Sequence, residues 1–526
     1  MQREEFTRLL SQEREQFRAR ISAGLERAAI SSRVAVVLSG GGARGAYEAG
    51  ALLALQDAQV PTHILAATSV GSINAGSFAG HSKNLIGNAE PLIEAWSEIS
   101  SAELGIDWSR YIFMLAGLAA ALAGALNSSL DWFRARGIYL RAMHPILTWI
   151  ALMVAGAVLL LLYDELPYIV YVIANYARGG RWRPDRAKAL RSLAANVFVL
   201  GFIYLAVNFT HLHVGIAVMP FEISTKLLVV ALGVMIAAWW FFVRDRASLL
   251  SQKFLRLPLR TGLFPNYERT KFLRGRIPAA GLRASPMRVV MTATDLRAGA
   301  AKYFTNAPIA ELLHDPGVTP SFVSGEMEQA DDLLLAIIAS SAYTIAYQAV
   351  PMRERLWTDG GIVTNQPIRP AVRLGADVLF LVMLEPVGGD VTTPLETFLD
   401  VGLRALDILV TKNLLADLKN LDRANRLCMQ TGSRLHLAPE QVQLEIGSQS
   451  FRYVKAFTVC PQKPLALGAL DFKPELTRAA ILEGYRDGAK AALEFAAYQR
   501  TLPQDRERRI AKLEPQTIAA TRGAGI

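Results

Sequence analysis

The chain has 526 residues and a formal net charge of +10; 52% of its residues are hydrophobic and only 19% are charged. This length allows two or more domains, and a mean hydropathy of +0.25 is typical of chains with membrane segments. A basic balance suits nucleic acid or anionic lipid, but no zinc-finger spacing or basic stripe with interleaved aromatic residues is present, so lipid is favoured and no nucleic acid is expected.

The N-terminal segment, residues 1–33, is predicted to be a charged, partly amphipathic helix. It is rich in Arg and Glu and has no apolar run of the length that a signal peptide needs. Cys428 and Cys460 form no CxxC pair and give no disulfide framework, which suits a reducing compartment.

An α/β pattern begins directly after this segment. Residues 33–39 form a short apolar run rich in β-branched residues, typical of a buried parallel strand, and residues 46–57 have the apolar face of a helix. A second strand is predicted at 62–68 and a helix of small residues at 70–79. Alternation of strand and helix predicts parallel strands.

The middle of the chain, residues 105–275, is predicted to be a hydrophobic membrane insertion. It contains four apolar stretches, 111–127, 145–163, 193–208 and 227–243. A bilayer core needs about 20 apolar helical residues; the second and fourth stretches reach the working range, the third is marginal and the first is the weakest. The alternative is a set of core helices in a soluble domain.

Charge on the flanking segments gives the predicted orientation. Residues 178–191 and the segment after Val243 are rich in Lys and Arg, whereas residues 209–225 have none. The positive-inside rule therefore predicts that the two basic segments face the cytoplasm. We expect an integral membrane protein, in a bacterial inner membrane, with its catalytic domain on the cytoplasmic side.

The α/β pattern returns after the insertion. Strands are predicted at 287–294 and 377–383, and helices at 332–350, 397–426 and 473–498; the polar tail, 501–526, is predicted to be poorly ordered from Leu502 onward. The predicted fold is α/β, with a mainly parallel central sheet interrupted by the α-helical insertion.

Ser69 is the candidate nucleophile. It follows a predicted strand and precedes a predicted helix, where a sharp turn would project its hydroxyl, and Gly71 supplies a small neighbour. Ala67 stands where glycine is usual, a difference of one methyl group. The N–H of Val70, at the start of the helix, is a candidate oxyanion donor.

A glycine-rich loop precedes this serine. Gly40, Gly42 and Gly45 match GxGxxG, which is also the pattern of dinucleotide sites, but the next strand ends in Ala-Thr-Ser and not in an acidic residue. An oxyanion-binding loop is therefore favoured, with the N–H groups of Gly41 and Gly42 as donors. Arg44 is expected either to brace the loop or to attract a phosphate.

Asp359, in the sequence Asp359-Gly360-Gly361, is the candidate base. Ester hydrolases normally use a histidine here, but none of the seven histidines lies in a triad-like setting. A pair of serine and aspartate fits the sequence better.

Together these blocks resemble the patatin-like phospholipase family. The resemblance lies in residues 38–47, 68–75 and 359–361, which occur in the family's order, and more loosely in 292–296, Asn365 and Pro367. Residues 341–345 lack a proline that the family often has. The likeness covers about 34–104 and 285–390, so residues 34–104 and 276–500 are predicted to form the two parts of one patatin-like three-layer sandwich.

The resemblance implies a Ser69–Asp359 dyad that cleaves acyl esters of glycerolipids, with Gly41 and Gly42 as oxyanion donors, through an acyl-enzyme and without metal or cofactor. Membrane phospholipid is the expected substrate and the bilayer the expected partner; the sequence does not define an oligomeric state. Alternatives are a lipid acyltransferase on the same fold, a catalytically silent lipid-binding membrane protein and, less favoured, a transporter.

The dyad also constrains the membrane topology. Because Ser69 and Asp359 must meet on one side, the intervening chain must cross the bilayer an even number of times. Four crossings would put Arg134, Arg136 and Arg141 on the outer side. Two crossings, with the first two apolar stretches in the interface or in a hairpin, is the alternative.

Overall fold

The structure, a computed structural model, describes residues 1–22, 32–101, 103–106, 262, 264, 266–306, 330–352, 354–386, 418–446, 449–502 and 509–513. These residues belong to one unit formed from residues 1–106 and 261–526. The four apolar stretches between residues 111 and 243 lie outside the described residues, as does the predicted crossing number. Within the described ranges, no helix has the length and hydropathy needed to cross a bilayer.

A mixed sheet forms the centre of this unit. The described strands are β1 (Val34–Leu38), β2 (Ile64–Thr68), β3 (Arg288–Asp295), β4 (Ala300–Thr305), β5 (Val350–Met352), β6 (Arg355–Asp359), β7 (Val378–Val382), β8 (Val442–Ile446), β9 (Gln449–Arg452), β10 (Lys455–Val459) and β11 (Arg509–Leu513). The large sheet has the order β10–β7–β1–β2–β3–β6–β5, with β4 also paired to β3. From β10 to β3 the neighbours are parallel, which confirms the predicted parallel centre; β4, β5 and β6 add antiparallel pairs.

Helices cover both faces of this sheet. They are α1 (Arg3–Ser22), α2 (Gly45–Asp57), α3 (Val70–Gly80), α4 (Glu90–Glu98), α5 (Asn266–Arg276), α6 (Ala279–Ala284), α7 (Ala330–Ser340), α8 (Ile368–Arg373) and α9 (Pro474–Thr501), and residues 418–435 are also helical. On one face, α8 packs with Leu379 and Leu381 of β7. Successive side chains of a strand point to opposite faces of the sheet. Phe380, which lies between Leu379 and Leu381, therefore contacts Phe495 of α9 on the opposite face.

Helices α2 and α9 lie unusually close together. A Cβ atom at Gly50 would lie 2.0 Å from the carbonyl oxygen of Ile481, and one at Gly484 would lie 1.9 Å from that of Tyr47. The N-terminal helix α1 packs on this pair through a buried face that includes Phe17, whose ring meets that of Tyr485 edge-on. Its predicted helical, amphipathic character is therefore found over residues 3–22.

The predicted helix over 332–350 is too long by ten residues. Helix α7 ends at Ser340, whose hydroxyl donates to the carbonyl of Thr292 in β3, while the Ser341 hydroxyl donates to the carbonyl of Ile337. The chain then turns through Ile345, which has φ 75°, and residues 350–352 form β5. This turn brings residues 340–342 to the carboxyl edge of β3.

The prediction that the tail lacks order is wrong for residues 509–513. They form β11, which pairs in parallel with β8 in a small second sheet. Strand β8 lies more than sixty residues earlier in the chain, and a segment of five residues carries too little local pattern to indicate such a partner.

Candidate active site

Ser69 lies in a strained turn between β2 and α3. Its φ of 55° and ψ of −125° are a combination that non-glycine residues rarely adopt. A Cβ atom at Gly71 would lie 2.8 Å from the Cβ of Leu38, so the close approach of the turn to β1 requires glycine there. Ala67 is buried within β2, where its methyl group is accommodated. The turn has the geometry of a nucleophile elbow.

Asp359 reaches this serine across β3. The register puts Thr68 of β2 beside Thr292 and Asp359 of β6 beside Ala293, so Ser69 and Asp359 lie at the same level on either side of β3. The Ser69 hydroxyl donates a hydrogen bond to Asp359 Oδ2. The N–H of Gly361 donates to Oδ1 at 2.7 Å, so both carboxylate oxygens are engaged.

Burial controls the charge of this carboxylate. Asp359 is enclosed by protein, and burial raises its pKa to about 6. The hydrogen bonds from Ser69 and Gly361 and the positive charge of Arg269 act in the opposite direction. A carboxylate in this setting can accept the proton of the serine that it contacts.

The end of α7 holds both members of the pair. Ser340 Oγ accepts the N–H of Ser69 at 3.0 Å and donates to the carbonyl of Thr292 at 2.6 Å. The carbonyl of Ala342 accepts the N–H of Asp359 at 3.0 Å. No local sequence signal marks Ser340, which lies 271 positions from Ser69 in a segment predicted to be a helix.

The glycine-rich loop lies directly against the serine. Gly40 donates its N–H to Asn365 Oδ1 at 2.9 Å, and a Cβ atom at Gly40 would lie 2.8 Å from the Cβ of Ser69. Among the described residues, the N–H groups of Gly41, Gly42 and Val70 have no hydrogen-bond acceptor. Gly42 and Val70 also line the pocket that Ser69 lines. The oxyanion role of Gly41, Gly42 and Val70 stays a prediction.

The remaining residues of the loop have structural contacts. A Cβ atom at Gly45 would lie 2.4 Å from Val70 Cγ2, so this glycine permits close packing of the loop on α3. Arg44 pairs with Glu385 and its Nε donates to the carbonyl of Leu467 at 3.4 Å. These contacts favour the bracing role of Arg44; attraction of a phosphate stays a prediction.

Substituting Gly42 with alanine is expected to lower the turnover rate by about 100-fold or more, a loss typical of a damaged oxyanion site. Gly42 has φ 60°, and a Cβ atom there would lie 2.0 Å from the carbonyl oxygen of Ala469. The loop must move to relieve this contact. Gly299→Ala is the matched control, since Gly299 has φ 61° with nothing within 4 Å of an added Cβ. Equal losses in both variants, measured as ester hydrolysis, would contradict the role of the loop.

An apolar pocket, partly open to solvent, adjoins the serine. Gly42, Ser69 and Val70 contribute to its wall. Most of the rest is apolar and comes from α3, α4, α5 and the segment after residue 468: Ile73, Leu92, Ala95, Trp96, Ile99, Leu104, Phe272, Leu273, Ile277, Ala469, Leu470 and Phe472. A pocket of this kind suits a hydrocarbon chain.

No histidine among the described residues contacts Ser69 or Asp359. His81 bonds to the carbonyl of Ser77 and His63 to the N–H of Val34, while His144, His211, His213 and His314 lie outside the described residues. In the same described part, no group of three or more His, Cys, Asp and Glu residues could hold a metal ion.

Ester hydrolysis is expected to lose activity at acidic pH. The base must be ionised, so with a pKa of about 6 at Asp359 the rate should fall by about tenfold per pH unit below that value and be level above it. The measurement is kcat/KM for a soluble ester between pH 4.5 and 8.5, with folding monitored by circular dichroism. A folded protein with a flat profile down to pH 4.5 would contradict this assignment.

The fold and the site together define a class. In a mixed α/β sheet that is parallel at its centre, a strained serine follows a central strand and is hydrogen-bonded to a buried carboxylate, an arrangement suited to nucleophilic catalysis. The family model described as patatin-like phospholipase matches residues 36–372. The chain therefore belongs to the patatin-like phospholipase family, whose members are lipid acyl hydrolases.

Comparison with solved structures finds a weak similarity to the crystal structure of VipD from Legionella pneumophila. It has 12% sequence identity and a TM-score of 0.32, over 88% of this chain and 67% of that one. A TM-score of this size is too low to support a conclusion. Comparison with curated proteins gives no match.

Proposed function

We propose that this protein is a membrane-anchored serine acyl hydrolase that releases fatty acids from phospholipids or lysophospholipids. The observation that carries the proposal is the hydrogen bond from Ser69, in a strained turn beside an apolar pocket, to the buried carboxylate of Asp359. Membership of the patatin-like phospholipase family supports lipid as the substrate class.

The proposed reaction has two steps. Ser69 Oγ attacks the acyl carbonyl while Asp359 Oδ2 takes the hydroxyl proton, and the N–H groups of Gly41, Gly42 and Val70 stabilise the negative charge on the carbonyl oxygen. The ester C–O bond then breaks, and Asp359 gives its proton to the departing alcohol. In the second step Asp359 deprotonates a water molecule, whose oxygen attacks the acyl carbonyl. The bond between Ser69 Oγ and the acyl carbon then breaks, and Asp359 returns the proton to Oγ as the fatty acid leaves.

Membrane anchoring is proposed from the sequence alone. The apolar stretches within residues 105–275 would hold the catalytic domain at the cytoplasmic surface of the membrane, where the basic flanking segments favour anionic headgroups. After cell lysis, the protein should stay in the membrane fraction through an alkaline wash and be released by detergent. Recovery in the supernatant without detergent would contradict the anchoring.

Fatty-acid release from mixed phosphatidylcholine and phosphatidylglycerol vesicles tests the catalytic proposal. The expected result is release of free fatty acid, together with loss of activity after treatment with a serine-reactive phosphonate. Acyl transfer to an added lipid alcohol in place of release would favour the acyltransferase. No release and no labelling of Ser69 would contradict the hydrolase and favour the silent lipid-binding protein.

A further inference from the structure

We propose that Arg269 of α5 is a positioning residue for the Ser69–Asp359 pair, an inference that rests on the proposed function. Arg269 lies outside the three sequence blocks that resemble the family. It falls within residues 105–275, predicted to be the membrane insertion, but α5 belongs to the same unit as Ser69. Its guanidinium is buried in the wall of the pocket that adjoins Ser69.

The guanidinium is bonded to the carboxyl end of α7. Nη2 donates to the carbonyl of Ile338 at 2.9 Å and to Asn266 Oδ1 at 2.7 Å, while Nη1 donates to the carbonyl of Ser341 and to its hydroxyl at 3.2 Å. The ring of Tyr347 lies 4.2 Å from the guanidinium carbon. Four acceptors and an aromatic face therefore fix the position of this side chain.

The acceptors of Arg269 flank the residues that hold the catalytic pair. Ile338 and Ser341 lie on either side of Ser340, whose hydroxyl accepts the N–H of Ser69. Ala342, the next residue, accepts the N–H of Asp359. Movement of residues 340–342 would displace both Ser69 and Asp359 and so change the distance between Oγ and the carboxylate. The planar guanidinium of Arg269 restrains this movement.

The charge of Arg269 has a second effect on the same pair. The hydrogen-bond acceptors of the Arg269 guanidinium among the described residues are carbonyl, hydroxyl and amide oxygens and include no carboxylate, although an unpaired buried cation is costly. Burial lowers the pKa of Arg269 to about 10, so the group stays protonated at neutral pH, and Asp359 is the carboxylate that favours its charged form. In return, its charge favours the ionised form of Asp359.

Other titratable groups near the pair do not compete for this effect. The pKa of Tyr347 is raised to about 12 by burial, so its phenol is neutral below that pH. On the adjacent strands, Asp295 pairs with Arg355 at 2.6 Å and Lys302 interacts with these two residues. Arg269 is therefore the charged side chain among the described residues that acts on the Asp359 carboxylate.

The test compares the pH profiles of wild type, Arg269→Met and Arg269→Lys on a soluble ester. Phosphonate titration counts the folded active sites, so that kcat is obtained per competent site. Arg269→Met is expected to lower kcat by about tenfold or more with KM within about threefold, and to move the acid limb to higher pH by about half a unit or more. A purely structural role would reduce the number of active sites and leave the acid limb in place.

Arg269→Lys separates the two effects because it keeps the charge and loses the planar fork. Its acid limb should stay near the wild-type position while kcat remains reduced. Arg274→Met is the control, since Arg274 is an exposed residue of the same helix outside the pocket, and its profile should match wild type. If Arg269→Met does not fold, Asn266→Ala, which removes one acceptor, should still lower kcat with little change in KM.

The proposal would be overturned if folded Arg269→Met had wild-type kcat and an unshifted acid limb. It would also be overturned if Arg269→Lys and Asn266→Ala both had wild-type kcat. These results presuppose an active wild type, so they leave the hydrolase assignment intact. Absence of ester cleavage by wild type, with no labelling of Ser69, would overturn the hydrolase and this inference together.

Discussion

Substitution of Ser69 with alanine is expected to reduce fatty-acid release by about 10⁴-fold or more, the scale of loss when a serine nucleophile is removed. The change deletes the oxygen that donates to Asp359 Oδ2 and would form the acyl-enzyme. Main-chain contacts of the turn, such as the bond from the N–H of Ser69 to Ser340 Oγ, do not depend on that oxygen. The folded protein should therefore persist without activity, as measured on phospholipid vesicles.

Ser285→Ala is the control for this prediction. Ser285 lies just before β3, at the opposite edge of the sheet from the site, and its hydroxyl accepts the N–H of Met287. Activity should remain near wild type in this variant. Retention of more than about a tenth of wild-type activity by folded Ser69→Ala would mean that another residue attacks the ester.

Asp359→Asn is expected to lower turnover by about 10³-fold or more, because an amide cannot take a proton from serine. Asparagine has the same shape, so its Oδ1 can still accept the N–H of Gly361 and its amide nitrogen can lie against Ser69 Oγ. The positions of residue 359 and Ser69 are largely preserved while the catalytic base is removed. Labelling of Ser69 by a phosphonate should slow in parallel with ester hydrolysis, since both need the activated hydroxyl.

The matched control is Asp422→Asn. Asp422 is an exposed residue that pairs with Arg426 one turn along its helix. Its substitution makes the same chemical change outside the candidate active site. Its activity should be unchanged. Asp359→Asn with near wild-type turnover would show that the base lies elsewhere, most directly in a residue outside the described part of the chain.

The first half of the site is largely readable from the sequence because its information is local. The apolar run before the glycines, the serine at the next strand end and Gly71 lie within about forty residues, and each follows from strand, turn and helix chemistry. The structure has β1, α2, β2 and α3 within two residues of the predicted bounds. Asp359 was found through a three-residue motif, and its contact with Ser69 spans 290 positions.

Residues that support the pair carry no comparable signal. Ser340 lies in a segment predicted only to be a helix, and Arg269 lies in the stretch predicted to be a membrane insertion; their contacts with the catalytic pair depend on the folded structure. The Ser340 hydroxyl bonds to Thr292 of β3, 48 positions earlier in the chain, and helix propensity does not reveal such a contact. The strand β11 likewise exists through its partner β8.

The most direct test of the account is to locate the site that a fluorophosphonate modifies in the wild-type protein. After labelling, proteolysis and mass spectrometry, we expect one adduct, on the peptide that contains Ser69, and loss of ester hydrolysis in proportion to labelling. An adduct on a different serine that tracks the loss of activity, with Ser69 unmodified, would contradict it.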